Sequence, residues 1–168
     1  MRFCPTMSAI FLAAASLLSV AVPAHAEAAP HSQPEAVASA DGVLRLQSVH
    51  DVDQTVARIR ASVESKGIRY FGAIDQSELG ANAGLPIGKS TLVLFGNPPL
   101  GVQFLRANPY AGLDWPVRML VTTDGDGRVW ISWTDFHFIA GRYRLSGLDA
   151  QLKMASEVAA TIAAEAST

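Results

Sequence analysis

The chain has 168 residues with 13 basic and 15 acidic side chains, a formal net charge of −2, and one cysteine, at position 4. No run of Lys or Arg occurs, so nucleic acids and anionic membranes are not expected as partners. A single cysteine near the N-terminus also excludes a disulfide framework and a zinc–thiolate site in the rest of the chain.

Residues 1–26 have the pattern of a secretion signal. Arg2 supplies a positive charge, an apolar stretch follows, and Ala24-His25-Ala26 forms a small-x-small cleavage site. The apolar stretch is short for a membrane span of about 20 residues, and Pro23 ends it. We expect cleavage near Ala26, a periplasmic or secreted location, and no stable membrane insertion afterwards.

Cleavage would leave a chain without cysteine whose first residues are poor in large apolar side chains. Residues 27–41 are rich in Ala, Pro, Ser and Glu, a composition that predicts a flexible linker. Residues 42–166 are long enough to bury a sizeable core, and they show no internal repeat. The predicted organisation is a signal peptide, a linker and one domain.

The domain opens with a strand and a helix. Residues 43–48 alternate between apolar and polar side chains, as a half-buried strand does. Apolar residues then recur at helical spacing, beginning after Asp51, which forms with Gln54 a pattern resembling a capping box. Gly67 follows as a helix stop.

Further strands follow at residues 68–74 and 90–96, and two more flank Gly125-Asp126-Gly127, which favours a hairpin. Short helices are predicted around residues 76–84, 98–107 and 135–143. A last helix is indicated by an apolar face at helical spacing, formed by Leu148, Leu152, Ala155, Ala159 and Ile162.

The element order is not the regular alternation of a doubly wound sheet. It predicts an α+β fold: a single domain with a curved, mainly antiparallel sheet of about five strands and two long helices on one face. In shorthand the order is β-α-β(4)-α, with the short helices inserted.

Two Asn-Pro sequences, at residues 97–98 and 108–109, can be interpreted in two ways. Asn97 stands where a helix N-cap would stand, and Pro98 occupies the first helical position, where a missing N–H costs nothing. Asn108 likewise precedes a proline, which favours a helix boundary. Capping explains both asparagines, whereas a ligand-binding corner is the alternative.

Other chemical patterns are weaker. Asp124 to Gly127 has some features of a calcium loop, but a strand sequence follows, so a hairpin is favoured. Asp75, Ser77 and His137 make a conceivable catalytic set without any nucleophile-elbow motif. After cleavage only three histidines remain, which predicts no multi-histidine metal site.

Three segments, "LFGNP", "ANPYAGLDWPVRMLV" and "DGDGRVWISW", resemble the domain of unknown function 302 family, and the resemblance runs from about residue 43 to 165. It implies a compact α+β domain that often self-associates, and it supplies no reaction. Members commonly carry Asp-His where this chain has Asp75-Gln76, and Arg-His where it has Arg142-Tyr143. The resemblance therefore implies that any metal or haem role of those histidines is lost here.

The sequence predicts an exported domain that binds a small ligand or a protein partner without catalysis, metal or cofactor. Polar residues interrupting apolar segments suggest a pocket rim, and the candidate ligand-binding residues are Asp75, Gln76, Asn97, Asn108, Asp114, Arg118 and Arg142. One alternative is a cofactor-free hydrolase or isomerase with Asp75 or Asp114 as general acid/base, and Arg118 or Arg142 holding an anionic substrate. The other is a purely structural homodimer.

Overall fold

The computed structural model describes residues 35–168. The predicted signal peptide and the first part of the predicted linker lie outside the described residues. Within residues 35–168, no helix combines the length and the apolar character needed to cross a membrane.

One antiparallel sheet forms the centre of the domain, with its strands in the order β1-β2-β6-β5-β4-β3. The strands are β1 (Val37–Ala38), β2 (Val43–Ser48), β3 (Arg69–Asp75), β4 (Ser90–Gly96), β5 (Val117–Thr123) and β6 (Val129–Thr134). The predicted α+β class is confirmed. The sheet has six strands rather than about five, and the additional strand is β1, at the edge of the sheet. It lies in the segment that was expected to be a linker. Its two residues are too few to show the alternation of apolar and polar side chains by which a strand is recognised.

Within the part of the chain that the structure describes, five α-helices and one 3₁₀ helix connect or cover these strands. They are α1 (Val52–Ser65), α2 (Gln76–Asn82), α3 (Pro98–Ala107), the 3₁₀ helix (Pro109–Leu113), α4 (Phe136–Tyr143) and α5 (Asp149–Ser167). The long helices α1 and α5 pack against each other and against one face of the sheet, the inner face, as predicted.

Side-chain caps fix where the helices begin. Asp51 accepts a hydrogen bond from the backbone N–H of Gln54 at 2.8 Å, and α1 begins at the next residue. Asp135 accepts from the backbone N–H of His137 at 2.9 Å at the start of α4. Each bond satisfies one of the N–H groups that the first helical turn leaves without a partner. Gly67 follows α1 with a φ of 65°, where a glycine carries no steric cost.

The core lies between the inner face and the two long helices. Ile59 and Val63 of α1, Ile131 of β6 and Ile162 of α5 are all fully buried. Each such side chain contributes roughly 1.5–3 kcal/mol when it leaves water. On the outer face of the sheet, by contrast, Leu92, Leu94 and Leu120 remain partly exposed.

Candidate functional site

A cavity of about 250 Å³ lies between the inner face of the sheet, α3 and α5. Its walls are mostly apolar and include Phe95, Leu100, Phe104, Val117, Phe136 and Val158. Lys66, Asn97 and the half-exposed Met154 also line it, and these side chains reach the surface. The "FGNP" corner therefore borders a cavity that is open to solvent.

Small residues create the space. Ala155 and Ala159 stand one turn apart on α5 and leave room where larger core residues would fill it. On the opposite wall, a Cβ atom on Gly101 would lie 1.9 Å from Nε1 of Trp115, so only glycine allows α3 to approach this indole. The Trp115 ring meets Phe71 edge to face, with centroids 5.9 Å apart.

An ion pair stands at the mouth of the cavity. Nζ of Lys66 donates to both carboxylate oxygens of Glu165, at 2.7 and 2.6 Å, and Oγ of Ser62 donates to the same carboxylate at 2.6 Å. The bond from Lys66 is the main reason why the pKa of Glu165 is lowered, so the carboxylate is charged at neutral pH. Lys66, the single ionisable residue that residues 35–168 contribute to the cavity lining, is thus neutralised by a partner outside the lining.

Asn97 has a structural role and a position at the site. Its side-chain oxygen accepts from the backbone N–H of Leu100 at 3.4 Å, which confirms the predicted cap of α3. The same residue lines the cavity. The two interpretations of this corner are therefore compatible.

Asp114 forms the centre of a second cluster. Its side chain is only 3% exposed and accepts from Arg118, from Nη1 of Arg142 at 3.3 Å and from the hydroxyl of Tyr143 at 2.5 Å. The hydrogen bond to this carboxylate raises the pKa of Tyr143. Asn108 joins the cluster through its side-chain N–H, which donates to the backbone oxygen of Tyr143 at 2.8 Å.

This Asp114 cluster unites four of the predicted site residues, but it encloses almost no space. The opening beside Asp114, Val117 and Arg118 measures about 10 Å³, which is room for one water at most. Arginines and a tyrosine hydroxyl already engage the carboxylate of Asp114. The geometry therefore offers neither the substrate volume nor the free general base that the hydrolase alternative requires at this position.

Asp75 and Gln76 lie elsewhere, at the junction of β3 and α2. Asp75 accepts from Oγ of Ser77 at 2.5 Å and from the backbone N–H of Glu78 at 2.9 Å, and these bonds lower its pKa, the serine bond most. Gln76 accepts from Oγ of Ser90 at 2.8 Å. Asp75 is thus a charged helix cap with a lowered pKa, whereas a general acid or base that works near neutral pH is favoured by a raised carboxyl pKa.

Gln76 and Tyr143, the positions where the family resemblance implies histidines in related domains, do not meet within one chain. Gln76 contacts Ser90, which pairs with Thr122 near the end of β5. Tyr143 contacts Asp114, which precedes the first residue of β5. A strand rises about 3.3 Å per residue, so most of the length of β5, roughly 16 Å, separates the two places.

Neither the catalytic set nor the calcium loop is assembled. His137 follows β6 at the Asp114 end of the sheet, whereas Asp75 and Ser77 lie at the opposite end. Asp124 instead closes the predicted hairpin, accepting from Nε of Arg128 and Nε1 of Trp130, both at 2.8 Å. Among residues 35–168, no three His, Cys, Asp or Glu side chains are grouped to hold a metal ion.

Sequence reasoning identified the "FGNP" corner but missed most of the residues that line the cavity. It placed Ala155 and Ala159 on the buried face of the last helix, where they are, but gave them no other role. The available signal was their size, since two alanines one turn apart leave space against a neighbouring element. Gly101 and Trp115 gave no signal, because their contact joins α3 to the segment before β5.

Comparison with known proteins agrees with this fold. The family model described as "Domain of unknown function DUF302" matches residues 44–165. The chain belongs to this family. The crystal structure of an uncharacterised conserved DUF302 protein from Bacillus stearothermophilus is similar, with a TM-score of 0.68 at 15% identity. The similarity covers 76% of this chain and 98% of that one, and it shows a shared fold.

Curated relatives are longer than the matched segment. This DUF302 chain is 32% identical over 120 residues to a Brucella suis protein named fluoride-specific ion channel FluC 1, and equally to the Brucella abortus protein of that name. The match covers 71% of this chain but only 47% and 44% of those proteins. The chain thus spans less than half the length of these relatives.

Proposed function

We propose that this DUF302 domain binds a small, mainly apolar molecule in the cavity between the sheet, α3 and α5. The observation that carries the proposal is an apolar space of about 250 Å³ that opens to solvent. An apolar protein cavity of about 150 Å³ is enough to bind benzene. The present cavity therefore suits a single ring with a short substituent.

The energetic cost of the space supports a role in binding. Cavities left by core truncation cost about 24 cal/mol per Å³, so a closed empty cavity of this size would cost roughly 6 kcal/mol. Water entering through the mouth reduces that figure, but a filled core would avoid the cost altogether. Against a domain stability of about 5–15 kcal/mol, even part of this cost is substantial, and a bound ligand that fills the space would remove it.

A pair of variants on one helix tests the proposal. Ala159→Leu projects three additional carbons into the cavity, whereas Ala160→Leu adds them on the exposed side of α5. Calorimetric titration with acetophenone, a single ring with a short polar substituent, should show binding to wild type and to Ala160→Leu. Ala159→Leu should lose at least about tenfold in affinity. Equal affinity for all three proteins would refute binding in this cavity.

We also propose export, on the evidence of the signal-like pattern at residues 1–26. In this account the domain acts in the periplasm or outside the cell, after cleavage near Ala26. Intact-mass measurement of the protein recovered from its host should give a chain beginning at Glu27. Recovery of mature protein that retains Met1 would refute the proposal.

A homodimer is a second candidate, favoured by exposed apolar residues on the outer side of β3 and α2 and in the following loop. Ile74, Leu79, Leu85 and Ile87 are 41%, 58%, 72% and 56% exposed, and clustered exposed apolar residues are typical of protein interfaces. Sedimentation analysis should show a dimer that Ile87→Lys weakens and Val49→Lys, at an exposed valine elsewhere, does not. A wild-type monomer at all concentrations would contradict it.

A further inference from the structure

We infer that the cavity selects uncharged ligands over anionic ligands of the same shape, and that Glu165 is the residue that determines this specificity. The inference rests on the proposed function and adds the chemical class of the ligand. It also assigns a role to a residue that lies outside the cavity lining.

The charged groups at the cavity are Lys66 and its partner Glu165. Among the described residues, Lys66 is the one ionisable side chain in the lining, and alone it would attract an anion. Both oxygens of Glu165 lie within 2.7 Å of its Nζ, so two of the three ammonium donors are already engaged and the pair has no net charge. An anionic group entering the cavity would therefore lose hydration without gaining an uncompensated cation.

The hydrogen bonds of Glu165 fix the position of the ion pair. Ser62 donates to Glu165 from the adjoining helix at 2.6 Å, which orients the carboxylate toward Lys66. The Lys66 side chain is only 28% exposed, whereas the Glu165 side chain is 45% exposed. The carboxylate is therefore held by Ser62 as well as by Lys66, and Glu165 is the more exposed member of the pair.

The cavity lining also has polar groups other than the ion pair, on Asn97 and Trp115. The side-chain oxygen of Asn97 accepts from Leu100, which leaves its N–H₂ group as a donor at the cavity mouth. The indole of Trp115, which also carries an N–H donor, forms part of the wall. A neutral ligand with an acceptor oxygen, such as a ketone, matches donors of this kind.

Two probes of nearly the same shape test the inference. Acetophenone and benzoate share a ring and a carbonyl carbon, and they differ in carrying a methyl group or an anionic oxygen. Calorimetry with wild type should show acetophenone binding at least about tenfold more tightly than benzoate, a difference of about 1.4 kcal/mol. Glu165→Gln should raise benzoate affinity at least fivefold and leave acetophenone affinity within about twofold.

Matched variants separate the local pair from overall charge. Glu157→Gln removes the same charge from an exposed position on α5 and should leave both affinities unchanged. Lys66→Gln leaves Glu165 uncompensated and should weaken benzoate further while acetophenone still binds. This second variant tests the inference even if Glu165→Gln does not fold.

The outcomes distinguish the inference from the proposed function. If acetophenone binds in the cavity but benzoate binds wild type equally well, the inference is overturned and the proposed function stands. The same holds if neither Glu165→Gln nor Lys66→Gln changes the ratio of the two affinities. If neither probe binds wild type or either variant, the proposed function fails and the inference fails with it.

Discussion

The Asp114 cluster and the open cavity lie on two sides of one wall, which Val117 and Phe136 form. On one side, a buried carboxylate, two arginines and a tyrosine hydroxyl satisfy one another around about 10 Å³ of space. On the other side, mostly apolar side chains leave about 250 Å³ open. The region rich in functional groups is closed, and the region poor in them is open.

The difference arises from what each kind of side chain does when it is buried. A buried carboxylate is costly unless it is hydrogen-bonded, so polar groups near Asp114 gather around it and close the space. Apolar side chains need no such partners, and the small side chains of Ala155 and Ala159 leave the space between α5 and α3 unfilled. At this wall, the buried polar residues therefore do not mark the open volume.

The largest expected effect is a loss of stability when the Asp114 cluster is disrupted. Asp114→Ala removes the acceptor for both arginines and for Tyr143, and we expect a loss of about 2–4 kcal/mol in the free energy of unfolding. The arginines are half exposed and can be solvated, which keeps the loss below that of a fully buried pair. Urea denaturation measures it, with Arg142→Gln as a control expected to lose at most about 1 kcal/mol. Equal losses for the two variants would contradict the central role of Asp114.

Substitutions at two glycines test the wall of the cavity that Trp115 forms. Gly101→Ala forces a methyl group into Trp115, so we expect a loss of about 1–3 kcal/mol and weaker acetophenone binding. Gly141→Ala is the control, because that helical glycine has open space where a methyl group would lie. The control should gain about 0.5–1 kcal/mol. A Gly101→Ala protein as stable as wild type would show that Trp115 moves freely.

How much of this arrangement the sequence could predict depends on the range of the interactions. The hairpin at Gly127, the caps at Asp51 and Asn97, and the buried face of α5 follow from neighbours in sequence, and all are present. Asn108, Asp114, Arg118 and Arg142 were predicted as site residues, but their mutual hydrogen bonds depend on how α4 packs against the start of β5. The cavity depends on contacts among β4, β5, α3, α4 and α5, and local patterns do not encode these.

A smaller loss of stability is expected at Asn97, which both caps α3 and lines the cavity. Asn97→Ala removes the cap of α3, and since the bond is long at 3.4 Å we expect a loss of about 0.5–1 kcal/mol. Asn97→Asp and Asn97→Ser retain an acceptor oxygen and should cost little stability. Thermal unfolding of the three variants measures the effect. Full stability in all three would show that capping is not the role of this residue.

The smallest expected effect concerns pH at the hairpin, away from both regions. Hydrogen bonds from Trp130 and Arg128 hold the pKa of Asp124 well below its ordinary value. The stabilisation is therefore present above the ordinary pKa of about 3.9 and is lost as the pH falls below it. Asp124→Asn should show a shallower loss of stability than wild type between about pH 5 and pH 2. Parallel curves would contradict the assignment.

The most direct test of the open cavity is an NMR measurement of contacts between acetophenone and the protein methyl groups. We expect nuclear Overhauser effects from the acetophenone ring protons to the methyl groups of Ala155 and Ala159. Wild type and Ala160→Leu should give the same contacts, and Ala159→Leu should lose them. Contacts confined to Leu92 and Leu120 on the outer face, or the absence of any contact with α5, would contradict ligand binding in the cavity.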